Sequence, residues 1–248
     1  MKKILLAGLL LPALCCAASA VEDAASAPAK QESAREIKTP ASAAPEADIR
    51  LTSSAVLAKL SEWDNKLETL KLSFSQTVAF GDTGIVNKIT GSLLYMKPDK
   101  LRVEHLTPQR QTVYTDRKVI WIYKPQDNQA VKTLWGDWLR QQSGTFAGIT
   151  DFGAYGSLGA EHDVKISAPE KSKTVEAVFT PKKNPKSYTL TLVLSREDFF
   201  PSAVNIRLGS ATVDTALSQV EKNAKIADKS FVFAPPSGAE VLDLTGGQ

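Results

Sequence analysis

Apolar residues recur at three- and four-residue steps through Val56, Leu57, Leu60, Trp63, Leu67 and Leu70, which predicts one amphipathic helix with Ser53 or Ser54 as its N-cap. The period then drops to two. Leu72, Phe74, Gln76, Val78 and Phe80 alternate with Lys71, Ser73, Ser75 and Thr77, the signal of a strand. Gly81-Asp82-Thr83-Gly84 has the composition of a turn. Further strands are predicted at Ile89–Met96, Leu101–Leu106, Gln111–Tyr114, Val119–Tyr123 and Gln129–Leu134. Short segments such as Lys97-Pro98-Asp99 and Asp116-Arg117-Lys118 separate them. Short strands joined by tight turns imply an antiparallel meander.

The pattern breaks between Gly136 and Gly159. Trp138, Leu139, Phe146, Ile149, Phe152, Tyr155 and Leu158 lie there among glycines and polar residues, which suits a helical or irregular cover better than a strand. Strands resume at His162–Ile166, Thr174–Thr180, Ser187–Ser195, Ser202–Leu208 and Ala211–Val220, and Phe231–Gly238 is expected to end the sheet. The predicted class is mainly β (α+β): a long antiparallel sheet, one helix before it and an insertion in its middle. A sheet this long must curl or be covered. A curled sheet with helices on its concave side makes a cleft, a common place for ligands.

The N-terminal residues are different material. Met1-Lys2-Lys3, an apolar run from Ile4 to Leu14, and Ala18-Ser19-Ala20 form the three-part pattern of a secretory signal peptide, residues 1–20. The run is too short to span a bilayer, and Leu14 before Cys15 is a poor lipoprotein signal. Residues 21–48 are rich in Ala, Ser, Pro and Glu and contain no aromatic, so they read as a disordered tether. Residues 49–248 are the folded domain. Both cysteines, Cys15 and Cys16, fall in the leader, so the mature chain has no thiol or disulfide. Formal charge is +3, or +1 without Lys2 and Lys3, with no basic block to suggest nucleic acid.

No catalytic constellation stands out. His105 shares a strand face with Leu101 and Val103 and reads as a core or rim histidine. His162, in a charged turn, is expected to be exposed. Two separated histidines without a cysteine make a poor metal site, and no cofactor motif is present. Gly156-Ser157-Leu158-Gly159 lacks the first glycine and the leading strand of a nucleophile elbow. Glu197-Asp198 and Glu161/Asp163 read as solvated turns, and Lys182-Lys183-Asn184-Pro185-Lys186 as a solvated basic turn.

Six segments in order resemble the LolA family of periplasmic carriers of outer-membrane lipoproteins. They are Phe74-Ser75-Gln76, Gly91 to Pro98 (GSLLYMKP), Leu101-Arg102-Val103-Glu104, Asp116 to Pro125 (DRKVIWIYKP), Thr180-Pro181-Lys182, and Phe231 to Val241 (FVFAPPSGAEV). The resemblance implies an incomplete antiparallel β-barrel closed by an N-terminal helix and a helical lid over an apolar cavity. It implies a monomeric, non-enzymatic carrier with no cofactor. Its partners would be lipoprotein acyl chains, an inner-membrane lipoprotein-releasing ABC transporter and an outer-membrane acceptor lipoprotein. Two other functions are compatible with such a fold: a carrier for another lipid or glycolipid beside a biosynthetic pathway, and a lipid-sensing module, which would ordinarily bring a second domain.

The resemblance also places residues. Side chains alternate along a strand, so Lys97 continues the face of Gly91, Leu93 and Tyr95, which the family match turns inward. Leu101 and Val103 carry the lining onto the next strand, with Phe74, Leu139 and Phe146 as further cavity residues. Lys97 stands where many family members have an arginine that ties down the cover, with Arg102 as an alternative for that role. The segment from Trp138 to Leu158 is expected to be a movable lid locked by Lys97.

Overall fold

Helix α1 (Ser53–Lys66) is capped one residue earlier than the spacing predicts. Thr52 is the N-cap, its hydroxyl accepting the Ala55 N–H at 3.2 Å. Ser53 is already helical, and its hydroxyl donates to the Val164 carbonyl at 2.9 Å. Leu67 is extended and closes the helix, while Leu70 belongs to the first strand. The last two members of the helical spacing therefore continue the buried face beyond the helix itself. The structure, a computed structural model, describes residues 51–141, 156 and 158–246. The expected signal peptide, tether and most of the lid lie outside the described residues.

Twelve strands form one open, curved sheet. They are β1 (Thr69–Phe80), β2 (Ile85–Met96), β3 (Lys100–Thr107), β4 (Gln111–Thr115), β5 (Val119–Lys124), β6 (Gln129–Leu134), β7 (His162–Ser167), β8 (Thr174–Pro181), β9 (Thr189–Ser195), β10 (Pro201–Leu208), β11 (Ala211–Lys222) and β12 (Glu240–Asp243). Helix α2 (Trp135–Gln141) follows β6, and the short α3 (Leu158–Glu161) precedes β7. The sheet order is β12-β6-β5-β4-β3-β2-β1-β11-β10-β9-β8-β7. Each half is a meander, and the two halves join where β1 pairs with β11. That pairing brings together strands more than a hundred residues apart in sequence.

One expected strand is absent. Residues Phe231–Gly238 do not extend the sheet: Phe231 ends a 3-10 turn (Asp228–Phe231), and the following residues are coil. Prolines 235 and 236 supply no N–H to a ladder, which suits a strap better than a strand. Phe233 lies against Tyr114, Trp121 and Tyr123, with ring centroids 5.1–5.3 Å apart. Only Glu240–Asp243 joins the sheet, and it pairs with β6 in parallel, the one departure from antiparallel pairing among the described strands.

Registers show how alternation builds the core. Opposed residues in an antiparallel pair share a face. One row crosses the β1–β6 half through Leu72, Leu93, Val103, Val113, Ile122 and Val131. These belong to a single core with Val56 and Leu60 of α1 and Leu190, Leu192 and Leu194 of β9, Val131 being buried beside it. Tyr114, Trp121 and Tyr123 alternate with buried neighbours and so face outward, where the Phe233 strap covers them. The inner face thus belongs to the core and α1, the outer face to solvent and the strap.

Candidate ligand cleft

The inner wall brings together five of the predicted cavity residues. Phe74, Leu93, Tyr95, Leu101 and Val103 are all buried. Leu93 is opposite Val103, and Tyr95 is opposite Leu101, so these four form a tetrad on one face. Phe74 is opposite Gly91. A Cβ at position 91 would lie 2.5 Å from the Phe74 ring and 2.3 Å from the Glu104 carbonyl oxygen, so only glycine lets the ring lie flat across β2. His105, opposite Gly91 on β3, meets Phe74 edge-on at 5.9 Å, buried as the strand alternation predicts. Burial pushes the Tyr95 phenol above its ordinary pKa, an effect that nearby Arg117 opposes. Leu139 lies in α2 by its backbone, but its side chain and the whole of Phe146 fall outside the described residues. Within α2, Trp138 is buried and stacks on Trp135 at 5.2 Å.

Lys97 reaches the end of α1. Its ammonium donates to the carbonyls of Asp64 at 3.3 Å and Asn65 at 3.1 Å, and to Glu68 Oε1 at 3.4 Å. The last carbonyls of a helix have no partner within the helix, and the helix dipole places negative charge there. Lys97 satisfies both needs. Asn223, just past the end of β11, completes the cap by donating to the Lys66 carbonyl at 3.1 Å. Arg102 has no part in this. It faces outward, pairing with Glu104 at 3.2 Å and lying over the Tyr114 ring at 5.4 Å, because its strand position is out of phase with the inner Leu101 and Val103.

A second lysine repeats the device. Lys182, expected to be solvated, donates to the carbonyls of Gly159 and Ala160 at 3.0 and 2.9 Å, closing α3. His162 is likewise not in an exposed turn. It is the first residue of β7 and is buried between the Leu158 carbonyl, 2.9 Å from Nδ1, and the Tyr188 hydroxyl, 2.6 Å from Nε2. A carbonyl only accepts, so Nδ1 carries a proton, and in the neutral ring Nε2 accepts from Tyr188. Burial, then the charge of Glu161, raises the Tyr188 pKa.

Gly156 and Gly159 serve packing. Cβ atoms added there would meet Ser61 at 2.7 Å and Leu57 at 2.5 Å, so both glycines let the chain run directly against α1. The Gly156 N–H also donates to Asp64 Oδ2 at 2.6 Å. On the far side of α1, Trp63 donates to the Asp198 carbonyl at 2.7 Å and meets Phe200 edge-on at 5.4 Å. Asp198 is not merely a solvated turn residue: it pairs with Lys222, whose ammonium lies 4.7 Å from the Trp63 and Phe200 ring centroids. Burial alone would raise the Asp198 pKa, but the Lys222 hydrogen bond and the Phe200 N–H outweigh it and hold the carboxyl below its ordinary value.

Along β11 the wall becomes partly accessible. Thr215 and Leu217 of that strand and Val204 of β10 are half-buried. Gln76, which the alternation put on the inner face without a role, is buried beside them and donates to Thr215 Oγ1 at 3.0 Å. The signal for this pair was there: a polar residue in the inner phase of each of two alternating strands. Among the described residues, no three His, Cys, Asp or Glu side chains group as a metal site, and no helix is long and apolar enough to cross a membrane.

The described residues thus form a mainly β fold, an open curved sheet with one apolar face and α1 packed against it, its end fastened to the wall. A family profile described as "Outer membrane lipoprotein carrier protein LolA" matches residues 65–234. The chain belongs to the LolA family. Curated relatives called outer-membrane lipoprotein carrier protein include one from Alkalilimnicola ehrlichii, 25% identical over 79% of this chain and 87% of its own, and one from Hahella chejuensis, 24% identical over 77% and 90%. Among solved structures, an uncharacterized conserved protein from Thermus thermophilus aligns with a TM-score of 0.51 at 11% identity, covering 77% of this chain and 99% of its own. That likeness is one of fold.

Proposed function

We propose that the mature chain is a soluble periplasmic carrier that shields the acyl chains of lipoproteins. It would receive them from an inner-membrane lipoprotein-releasing ABC transporter and hand them to an outer-membrane acceptor lipoprotein. The observation that carries this reading is the unbroken apolar row from Leu72 to Val131 on the inner face of the β1–β6 half. Each buried CH₂ is worth about 0.8 kcal/mol, so a sixteen-carbon chain released into water loses on the order of 12 kcal/mol. A greasy wall within a soluble fold offsets that loss with no covalent step. Phe74, Leu93, Tyr95, Leu101 and Val103 contact the chains, with Leu139 and Phe146 contributing from the cover. Lys97 locks that cover through the end of α1. Being a point charge, it grips less rigidly than a planar guanidinium.

The test is to express the full chain with its leader, recover it from the periplasm and examine it by native mass spectrometry. The proposal predicts a mature N-terminus at Val21, no attached lipid, and a non-covalently bound acylated peptide. A glycolipid in its place would move the cargo to another class of acylated molecule. A protein recovered with no lipid, and unable to take up a synthetic triacylated peptide, would overturn the carrier reading.

A further inference from the structure

The inner wall of β1 is apolar at Leu70, Leu72, Phe74 and Val78, and one residue in that series is not. Gln76 occupies the inner position between Phe74 and Val78 and is only 1% exposed. Its Nε2 donates to Thr215 Oγ1, and its Oε1 has no hydrogen-bond partner. Folded proteins seldom keep a buried amide oxygen without a donor, because the lost hydration is not replaced. A leucine would continue the apolar face and remove the penalty. Thr215 is placed differently. It stands on β11 opposite both Gln76 and Val204, where the wall is half-buried rather than closed. The pair therefore sits at the border between sealed core and accessible wall.

The two side chains offer complementary chemistry. The Thr215 oxygen accepts from Gln76, which leaves its own hydroxyl hydrogen free to donate. Gln76 Oε1 can only accept. Together they hold one acceptor, sealed in the empty protein, beside one donor at the edge of the accessible wall. A simple ester, which only accepts, matches half of that pattern. An amide or a hydroxyl-bearing ester matches all of it. We propose that Gln76 and Thr215 form a polar subsite that recognises the amide or hydroxyl-bearing head of an acylated ligand and so fixes how far its chains slide along the wall. This rests on the acyl-carrier reading above and adds to it the chemical class of the head group. The unpartnered oxygen is then a cost borne by the empty protein and removed when ligand binds.

Two probes of equal chain length test it: palmitoyl ethanolamide, which donates and accepts, and methyl palmitate, which only accepts. Affinities are read on the mature full chain by displacement of a fluorescent fatty acid. One hydrogen bond of ordinary net strength corresponds to about a fivefold preference for the ethanolamide. Gln76→Leu should bring that preference to within about twofold, whereas Thr215→Val, which removes the donor both probes use, should weaken both by about fivefold and keep the preference. Gln76→Leu should also raise the melting temperature of the ligand-free protein. A preference that survives in Gln76→Leu overturns the subsite. So does an equal weakening of both probes in that variant with a lowered melting temperature, which would make Gln76 a structural residue. Failure of the wild-type protein to bind either probe would instead defeat the carrier reading on which the subsite rests.

Discussion

Replacing Lys97 by Met removes the ammonium that closes α1 and leaves the aliphatic stem in place. Two carbonyls then lose a donor, at 3.3 Å for Asp64 and 3.1 Å for Asn65. Charge-assisted bonds are usually nearer 2.7–2.9 Å, so each of these stands at the weak end, about 0.5 kcal/mol net. The favourable placement of a cation at a helix C-terminus adds about 0.3 kcal/mol at a site this exposed. The Glu68 pair adds little, because that carboxylate is 68% exposed and its contact is 3.4 Å. The expected loss is about 1 kcal/mol for Lys97→Met, against about 0.3 kcal/mol or less for Glu68→Gln. Urea denaturation of the mature protein, followed by tryptophan fluorescence, measures both. In a domain of this size the Lys97 loss also lowers the melting temperature by about 2–4 °C. Lys97→Arg should retain most of the stability, since a guanidinium can reach the same carbonyls. The reasoning fails if Lys97→Met lies within about 0.3 kcal/mol of wild type, or if Glu68→Gln costs as much, because the lysine would then act through the ion pair and not the helix end.

Other outcomes follow from the geometry. Gly91→Ala forces a Cβ against both the Phe74 ring and the Glu104 carbonyl, and should destabilise the protein by about 2 kcal/mol in the same assay. Adding Phe74→Leu should recover only part of that, because the clash with the backbone carbonyl remains; full recovery would place the whole conflict in the ring. Tyr188→Phe leaves buried His162 Nε2 without its donor and should lower stability by about 1–2 kcal/mol, whereas Tyr123→Phe, at an exposed hydroxyl, should change it little. The Asp243 carboxyl is held at a pKa of about 2, first by the Thr245 hydroxyl, then by the Thr245 N–H and Lys132. A depressed carboxyl stabilises the fold fully above its unfolded pKa and loses that contribution as pH falls from about 4 through about 2. The carboxyl carbon of Asp243 should therefore titrate near 2 by NMR, and Thr245→Val should move the midpoint upward. An unmoved midpoint would show that the Thr245 N–H and Lys132, not the hydroxyl, set it.

Most of the inner wall was legible in the chain. A period of two needs no partner to be read, and Leu93, Tyr95, Leu101 and Val103 fall on the buried face because alternate side chains must point the same way. The α1 periodicity was equally local, though its cap shifted to Thr52, since Ser53 found a carbonyl on β7. Gly91, Lys97-Pro98 and the ordered succession of family segments were enough to place the chain among LolA-like folds.

What sequence alone could not decide was how distant elements meet. The pairing of β1 with β11 joins two meanders, and only that junction puts Thr215 beside Gln76. His162, Lys182 and Asp198 looked like solvated turn residues because polar and charged neighbours surround them in the chain. Each took its role from a segment folded onto it: Tyr188 for His162, the end of α3 for Lys182, and Lys222 with Trp63 for Asp198. The closing residues Phe231–Gly238 carry strand-like aromatics, yet the aromatic row of Tyr114, Trp121 and Tyr123 draws Phe233 across the outer face instead. Alternation and capping are short-range properties of the chain. Burial, charge pairing and the choice between strand and strap depend on which surfaces the folded sheet brings within contact distance, and that is set by tertiary packing.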